Sequence, residues 1–268
     1  MPNITSSVML WTLQGTFEEK LELVSAAGIP SAGLVAEQLA WSNADVDKYM
    51  KLAESNRVAF DTIVGNYDWL NRPVTMLNPD HREAFLDDIR GAITWAKRLN
   101  IPQIIVLAGN GQSGLTREVQ HASMVEAGKR AADLAGAAGL TLILEPLNPK
   151  IDHRGYFLPN CREGLEVVKA INSPHFRLLF DIYHEYVQEG NVVPTIAECM
   201  PYITMFHVAD APGRHDPGTG EMPWDEIYRT IRNSGYSGYV ALEYLPVGDQ
   251  LASLTAAMTQ MRQYLMYA

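Results

Sequence analysis

The chain has 268 residues, of which 47% are hydrophobic, enough to bury a large core unaided, so disorder and small disulfide-stapled folds are excluded. Lys and Arg number 21 against 31 Asp and Glu, a formal net charge of -10, which speaks against nucleic acid as a partner because affinity for a polyphosphate rests on basic surface. Cys161 and Cys199 have neither metal-knuckle nor redox spacing, the N-terminus lacks a basic leader, and no apolar run nears the ~18 residues of a membrane span, so a cytoplasmic protein free of membranes is expected.

In chain order, SSVMLW (6–11) predicts a first strand and FEEKLELVSAAG (17–28) a helix. AGLVA (32–36) and VAFDTIV (58–64) predict the second and third strands, and the stretch 81–100 has helical spacing. QIIVLAG (103–109) is the fourth strand candidate, followed by a helix over 118–139 and a fifth strand, LTLILEP (140–146). A helix over 161–172 precedes FRLLFDIYH (176–184) and ITMFHVAD (203–210), the sixth and seventh strands. A helix over 223–235, the strand GYVALEY (238–244) and a helix over 250–265 complete the series. The strands show little alternation, as strands covered on both faces should, and several helices end at Gly or Asn.

Strand and helix thus alternate about eight times across residues 1–268 with no linker between halves, and a single-domain α/β fold, the (β/α)8 TIM barrel, is expected. An open doubly wound sheet is the alternative, but no G-x-G-x-x-G follows the first strand. The long irregular pieces 65–80, 109–116, 147–160 and 211–223 all follow strands, which puts them on the C-terminal face where such barrels build their sites.

Charged groups at the ends of apolar strands are costly unless paired or bound to metal. Glu145 follows LTLIL, Asp181 follows RLLF, His207 follows ITMF and Glu243 follows YVAL, on four successive strands, so their side chains can converge. Three carboxylates and an imidazole suit Mn2+, Mg2+ or Co2+ as the cofactor, with positions left for substrate oxygens. His184 stands three residues past Asp181, and Arg214 opens the run RHDPGTGE, a fixed cation suited to a carboxylate or carbonyl. His81, His121, His153, His175 and His215 are expected at the surface or in loops. Trp11, Tyr67, Trp69 and Tyr156 either wall a pocket or pack under loops, and the tail MRQYLMYA suits a helix packed on the barrel or a contact within a homo-oligomer.

The segments LILEPLN (142–148), GYFL (155–158), FDIYH (180–184), HVADAPGRHDPGTGE (207–221) and GYSGYVALEY (235–244) together resemble the hydroxypyruvate isomerase family, within the xylose isomerase-like barrels of sugar isomerases and epimerases. The likeness is dense from about 140 to 245. It implies that Glu145 and Glu243 both bind metal and exchange substrate protons, that Asp181 and His207 complete the ligand set, and that His184 and Arg214 contact substrate oxygens. The chain departs from the pattern at three places. Position 207 is often glutamine in bacterial hydroxypyruvate isomerases and histidine in ketose 3-epimerases; Ile151 stands where those epimerases carry a further glutamate; and the usual acidic residue on strand two is lacking where this chain reads AGLVAEQ.

The chemistry so implied is alpha-proton transfer through an enediolate on a small hydroxy-keto acid, hydroxypyruvate going to tartronate semialdehyde. The alternatives are 3-epimerisation or aldose-ketose isomerisation of an unphosphorylated sugar, dehydration of a keto-polyol, and, from a different class, a non-catalytic sugar-binding barrel. An abasic-site endonuclease would need further strand-end ligands and basic loops, and neither is visible.

Overall fold

The strands observed in a computed structural model, which describes residues 4–68, 71–72 and 74–266, are β1 (Ile4–Met9), β2 (Ser31–Gly33), β3 (Ala59–Val64), β4 (Gln103–Leu107), β5 (Thr141–Glu145), β6 (Phe176–Asp181), β7 (Ile203–Val208) and β8 (Gly238–Leu242). They are almost wholly buried, as parallel strands covered on both sides must be. Each pairs in parallel with the next and β8 returns to β1, so the sheet closes on itself as the expected (β/α)8 TIM barrel.

Around it run α1 (Phe17–Ala26), α2 (Asn43–Ser55), α3 (Arg82–Arg98), α4 (Arg117–Ala137), α5 (Cys161–Ile171), α6 (Ile182–Glu189), α7 (Val193–Cys199), α8 (Trp224–Asn233) and α9 (Gln250–Met261). None of these helices is long and apolar enough to cross a membrane. Local signals set the boundaries. Thr16 and Glu19 form a capping box on α1, and Asn172, at φ 53°, ends α5 in the left-handed conformation that Asn tolerates.

The sequence did not single out α2, α6 or α7. Val46 and Ala53 are the buried residues of α2, too few for a legible apolar stripe, although Ser42 and Asp45 form a capping box at its start. The sixth strand stops at Asp181, short of the expected 184, because the Asp181 carboxylate accepts the His184 backbone N–H at 3.0 Å and starts α6. At the other end of the chain, Met261 and Leu265 are buried in the protein's own core, so the tail packs on the barrel. Trp69 lies outside the described residues.

A further buried carboxyl group, one that no local pattern in the sequence marks, sits lower in the barrel. Asp61 of β3 is fully buried and accepts hydrogen bonds from the hydroxyls of Ser7 on β1, Ser31 on β2 (2.7 Å) and Thr62 (3.0 Å). Burial raises its pKa, and the three hydroxyls offset only part of that. A group whose folded pKa lies above its unfolded value stabilises the fold fully below the unfolded value and loses that contribution as pH rises through the folded one. Asp61→Asn removes this dependence. Urea unfolding from pH 4 to 8 is expected to show the variant gaining on the parent as pH rises, by up to about 1.4 kcal/mol per pH unit between the two pKa values.

Candidate metal centre

Glu145 ends β5, Asp181 ends β6, His207 lies in β7 and Glu243 follows β8, so four neighbouring strands each deliver one group to the C-terminal mouth of the barrel. Register brings them together unevenly: Asp181 pairs with His207, whereas His207 pairs with Ala241, so Glu243 reaches in from two residues further along. All four are buried, and one ligand atom from each lies within 4.8 Å of the others. His207 Nδ1 is 3.2 Å from Glu145 Oε1 and 2.8 Å from Glu243 Oε2.

Burial and charge set these groups against each other. Burial raises the Glu145 carboxyl and pushes Asp181 up to about 7, with the Arg214 charge opposing the rise at Asp181. Burial would do the same to Glu243, but the charges of His207 and Arg214 and the Trp11 indole N–H outweigh it and hold Glu243 below the usual carboxylate range. Burial disfavours charge on His207, yet Glu243 and Glu145 carry its pKa well above the ordinary value. His184 goes the other way, kept neutral by burial and by the nearby Arg214 and His153.

Arg214 is not paired with Asp216 or Glu221 in its own loop. Its Nη2 donates to Glu243 Oε2 at 2.7 Å and lies 3.5 Å from Asp181 Oδ2, and its guanidinium lies over the rings of Trp11 and Tyr183, 5.4 and 5.5 Å from their centroids. The backbone at Arg214 is left-handed, φ 57°, a costly conformation for a long side chain that the loop must enforce.

Asp210 supplies that enforcement. Its buried carboxylate accepts backbone N–H groups from Ala211 (2.8 Å), Gly218 (2.7 Å), Gly220 (3.0 Å) and Met222 (3.3 Å), together with the Trp224 indole N–H (2.9 Å). Gly220 is required here, because a Cβ would lie 2.2 Å from the Ala211 carbonyl oxygen and 2.5 Å from Asp210 Oδ1. The loop is also tied to the one after β8, through Leu245 N donating to the Arg214 carbonyl at 2.8 Å.

The structure adds residues that the sequence left aside. Trp11, 38% exposed, donates its indole N–H to Glu243 Oε1 at 2.8 Å. His153 is at the site and not on a remote loop, its ring 5.2 Å from that of His184. Tyr156 is buried beneath the site: its hydroxyl accepts the Ala108 N–H (2.8 Å) and donates to the Glu145 carbonyl (2.9 Å), clamping β4 to β5. Asn148 contacts the His184 ring. Tyr67 lies exposed on the loop after β3. The indole, phenol and amide groups could not be ranked from sequence because their partners come from other strands.

The four residues fit a divalent cation on the structure's own evidence. Both ring nitrogens of His207 are buried without a well-aligned hydrogen bond, although Nδ1 closely approaches two carboxylates, the arrangement expected of groups directed at a common ion. Hard carboxylate oxygens with one imidazole match Mn2+, Mg2+ or Co2+ and not a thiolate-seeking metal.

A family model described as xylose isomerase-like TIM barrel matches residues 21–263. A hydroxypyruvate isomerase of Escherichia coli strain K12 is 33% identical over 168 residues, covering 63% of this chain and 65% of that protein. A 2-oxo-tetronate isomerase of Pectobacterium atrosepticum is 28% identical over 200 residues, 74% of this chain and 76% of that one. Among solved structures, a D-psicose 3-epimerase of Clostridium cellulolyticum H10 with D-tagatose superposes with a TM-score of 0.82 over 97% of this chain and 99% of its own, at 18% identity, a likeness of fold.

Cation uptake by this cluster would have to release protons, because an imidazole and raised carboxyls such as these can ligate a metal only when deprotonated. As pH falls through about 7, Asp181 takes up a proton that the cation must displace, so affinity falls on the acid side and rises on the alkaline side. Calorimetric titration with Mn2+ is expected to give heats that scale with the ionisation enthalpy of the buffer. Affinity is expected to fall by about tenfold per pH unit for each proton displaced.

Proposed function

Because the chain belongs to the xylose isomerase-like TIM barrel family, we propose that it is a divalent-metal-dependent isomerase of small hydroxylated 2-oxo acids, converting hydroxypyruvate to tartronate semialdehyde. The observation that carries this reading is the meeting of two glutamates from different strands at one imidazole nitrogen, 3.2 and 2.8 Å away, with the Arg214 guanidinium beside them. Two carboxylates so placed can exchange a proton with adjacent carbons of one small molecule. The relatives named for hydroxypyruvate and 2-oxo-tetronate support the substrate class, since both compounds are hydroxylated 2-oxo acids.

Glu145, Asp181, His207 and Glu243 would hold the cation, which when bound supplies a fixed positive charge beside the substrate oxygens. One of the two glutamates removes the proton from the hydroxymethyl carbon, alpha to the carbonyl, leaving an enediolate. The same or the facing glutamate returns it to the former carbonyl carbon, and the hydroxyl proton passes to the former carbonyl oxygen, so that an aldehyde and a secondary alcohol result. Trp11 and Arg214 keep Glu243 in position through its two carboxylate oxygens. Arg214 is the group suited to the substrate's carboxylate, and His184 to one of its oxygens.

The test is NMR of hydroxypyruvate in D2O with metal-stripped protein and added Mg2+, run in parallel with 2-oxo-tetronate, fructose, tagatose and psicose. Metal-dependent conversion of hydroxypyruvate with deuterium at the new C–H is expected. Glu145→Gln and Glu243→Gln should each lower kcat by about 10²- to 10⁴-fold. Retention of most activity by a metal-binding Glu243→Gln protein would sink the two-carboxylate mechanism. Turnover confined to a ketose would replace this reading with 3-epimerisation, and metal binding without exchange on any substrate would point to a dehydratase or a non-catalytic barrel.

A further inference from the structure

His184 presents one ring nitrogen to the ligand cluster and the other to a buried amide, and the amide determines which nitrogen carries the proton. Asn148 is fully buried on the loop after β5. Its Oδ1 accepts the backbone N–H groups of Ile151 at 3.0 Å and Asp152 at 3.1 Å. Turning the amide over would set its own N–H groups against those two donors, so the oxygen has to face them. The Nδ2 group therefore faces the opposite way, 2.7 Å from Asp152 Oδ2 and 2.6 Å from His184 Nδ1. Each of its two hydrogens has an acceptor, and an amide NH2 can only donate. His184 Nδ1 must then offer a lone pair, which leaves the ring proton of the neutral imidazole on Nε2.

Nε2 points to the ligand side, 3.7 Å from Asp181 Oδ2, while the His184 backbone N–H is held by the other oxygen of the same carboxylate at 3.0 Å. The ring packs against those of His153 and Tyr183, whose centroids lie 5.2 and 5.4 Å from its own. Asp181 thus anchors the His184 backbone, while the ring contacts of Asn148, His153 and Tyr183 come from outside the cluster.

We propose that Asn148 is a positioning residue that fixes His184 as the Nε2–H tautomer, making His184 a neutral hydrogen-bond donor to a substrate oxygen and not a base. A donor of this kind strengthens its bond as charge builds on the oxygen during proton abstraction, without itself having to gain or lose a proton. The donor role rests on the isomerase reading above; the tautomer does not.

The tautomer is read directly by long-range 1H–15N correlation of the imidazole rings in the full-length, Mg2+-loaded protein, the His184 signals being identified among those of seven histidines by their loss in His184→Gln. The expected spectrum shows an unprotonated Nδ1 and a protonated Nε2. Asn148→Asp keeps the acceptor for the two backbone N–H groups but turns the donor facing His184 into an acceptor. It should therefore move the proton to Nδ1 and lower kcat/KM by roughly 10- to 100-fold, mostly through kcat, a size typical of lost orienting contacts. Asn148→Ala, which removes the donor without adding a charge beside Asp152, should give a mixture of tautomers.

A proton on Nδ1 in the parent protein overturns the proposal, as does a folded Asn148→Asp protein with an unchanged ring pattern. A parent protein that shows the Nε2 proton but turns over none of the substrates overturns the isomerase reading and the donor role with it, while upholding the part played by Asn148.

Discussion

Three carboxylates drawn out of water to within 4.8 Å of a single imidazole repel one another strongly, and the upper half of the barrel is organised around making that tolerable. The strands bring the charges together because each ends at the same mouth. His207 and Arg214 then supply the opposing charge, and Trp11 a hydrogen bond, with Glu243 meeting all three. The uneven result, Glu243 held ionised while Glu145 and Asp181 are pushed toward protonation, follows from which carboxylate the cations reach most closely. A divalent ion would settle the imbalance at a stroke, which is why the cluster is read as a metal site and not as a set of surface ion pairs.

The same problem is solved differently three residues past His207. Asp210 is as deeply buried as the four clustered residues, yet it carries no metal signature, because backbone N–H groups and an indole surround its two oxygens. A carboxylate satisfied in this way organises a loop, and this loop holds Arg214 in a backbone conformation it would otherwise avoid. Asn148 plays the corresponding part on the loop after β5, with every donor and acceptor of its amide engaged and His184 fixed as a result. Two buried polar residues, neither reaching the ligand cluster, thereby orient the two side chains that flank it.

The barrel itself was legible because its strands are buried on both faces and read as continuous apolar runs. The strand-end positions of Glu145, Asp181, His207 and Glu243 were legible for the same reason, a charged residue closing an apolar run being conspicuous. Asp61 is not legible in the same way because it stands inside such a run, and its partners Ser7 and Ser31 belong to other strands. α2 leaves little trace in the sequence because its buried residues are few, and the start of α6 reads as strand because Ile182 and Tyr183 are as apolar as the strand before them.

What the sequence by itself determined is the alternating order of elements and the four strand ends that carry metal-type ligands, because both follow from local patterns of polarity along the chain. Only the tertiary structure decided that Arg214 reaches Glu243 and Asp181 and not its loop neighbours, that Trp11 from β1's end bonds a carboxylate more than two hundred residues away, and that His153 belongs to the site. Those pairings arise from barrel closure and loop packing, which join residues distant in sequence, and no local periodicity encodes them.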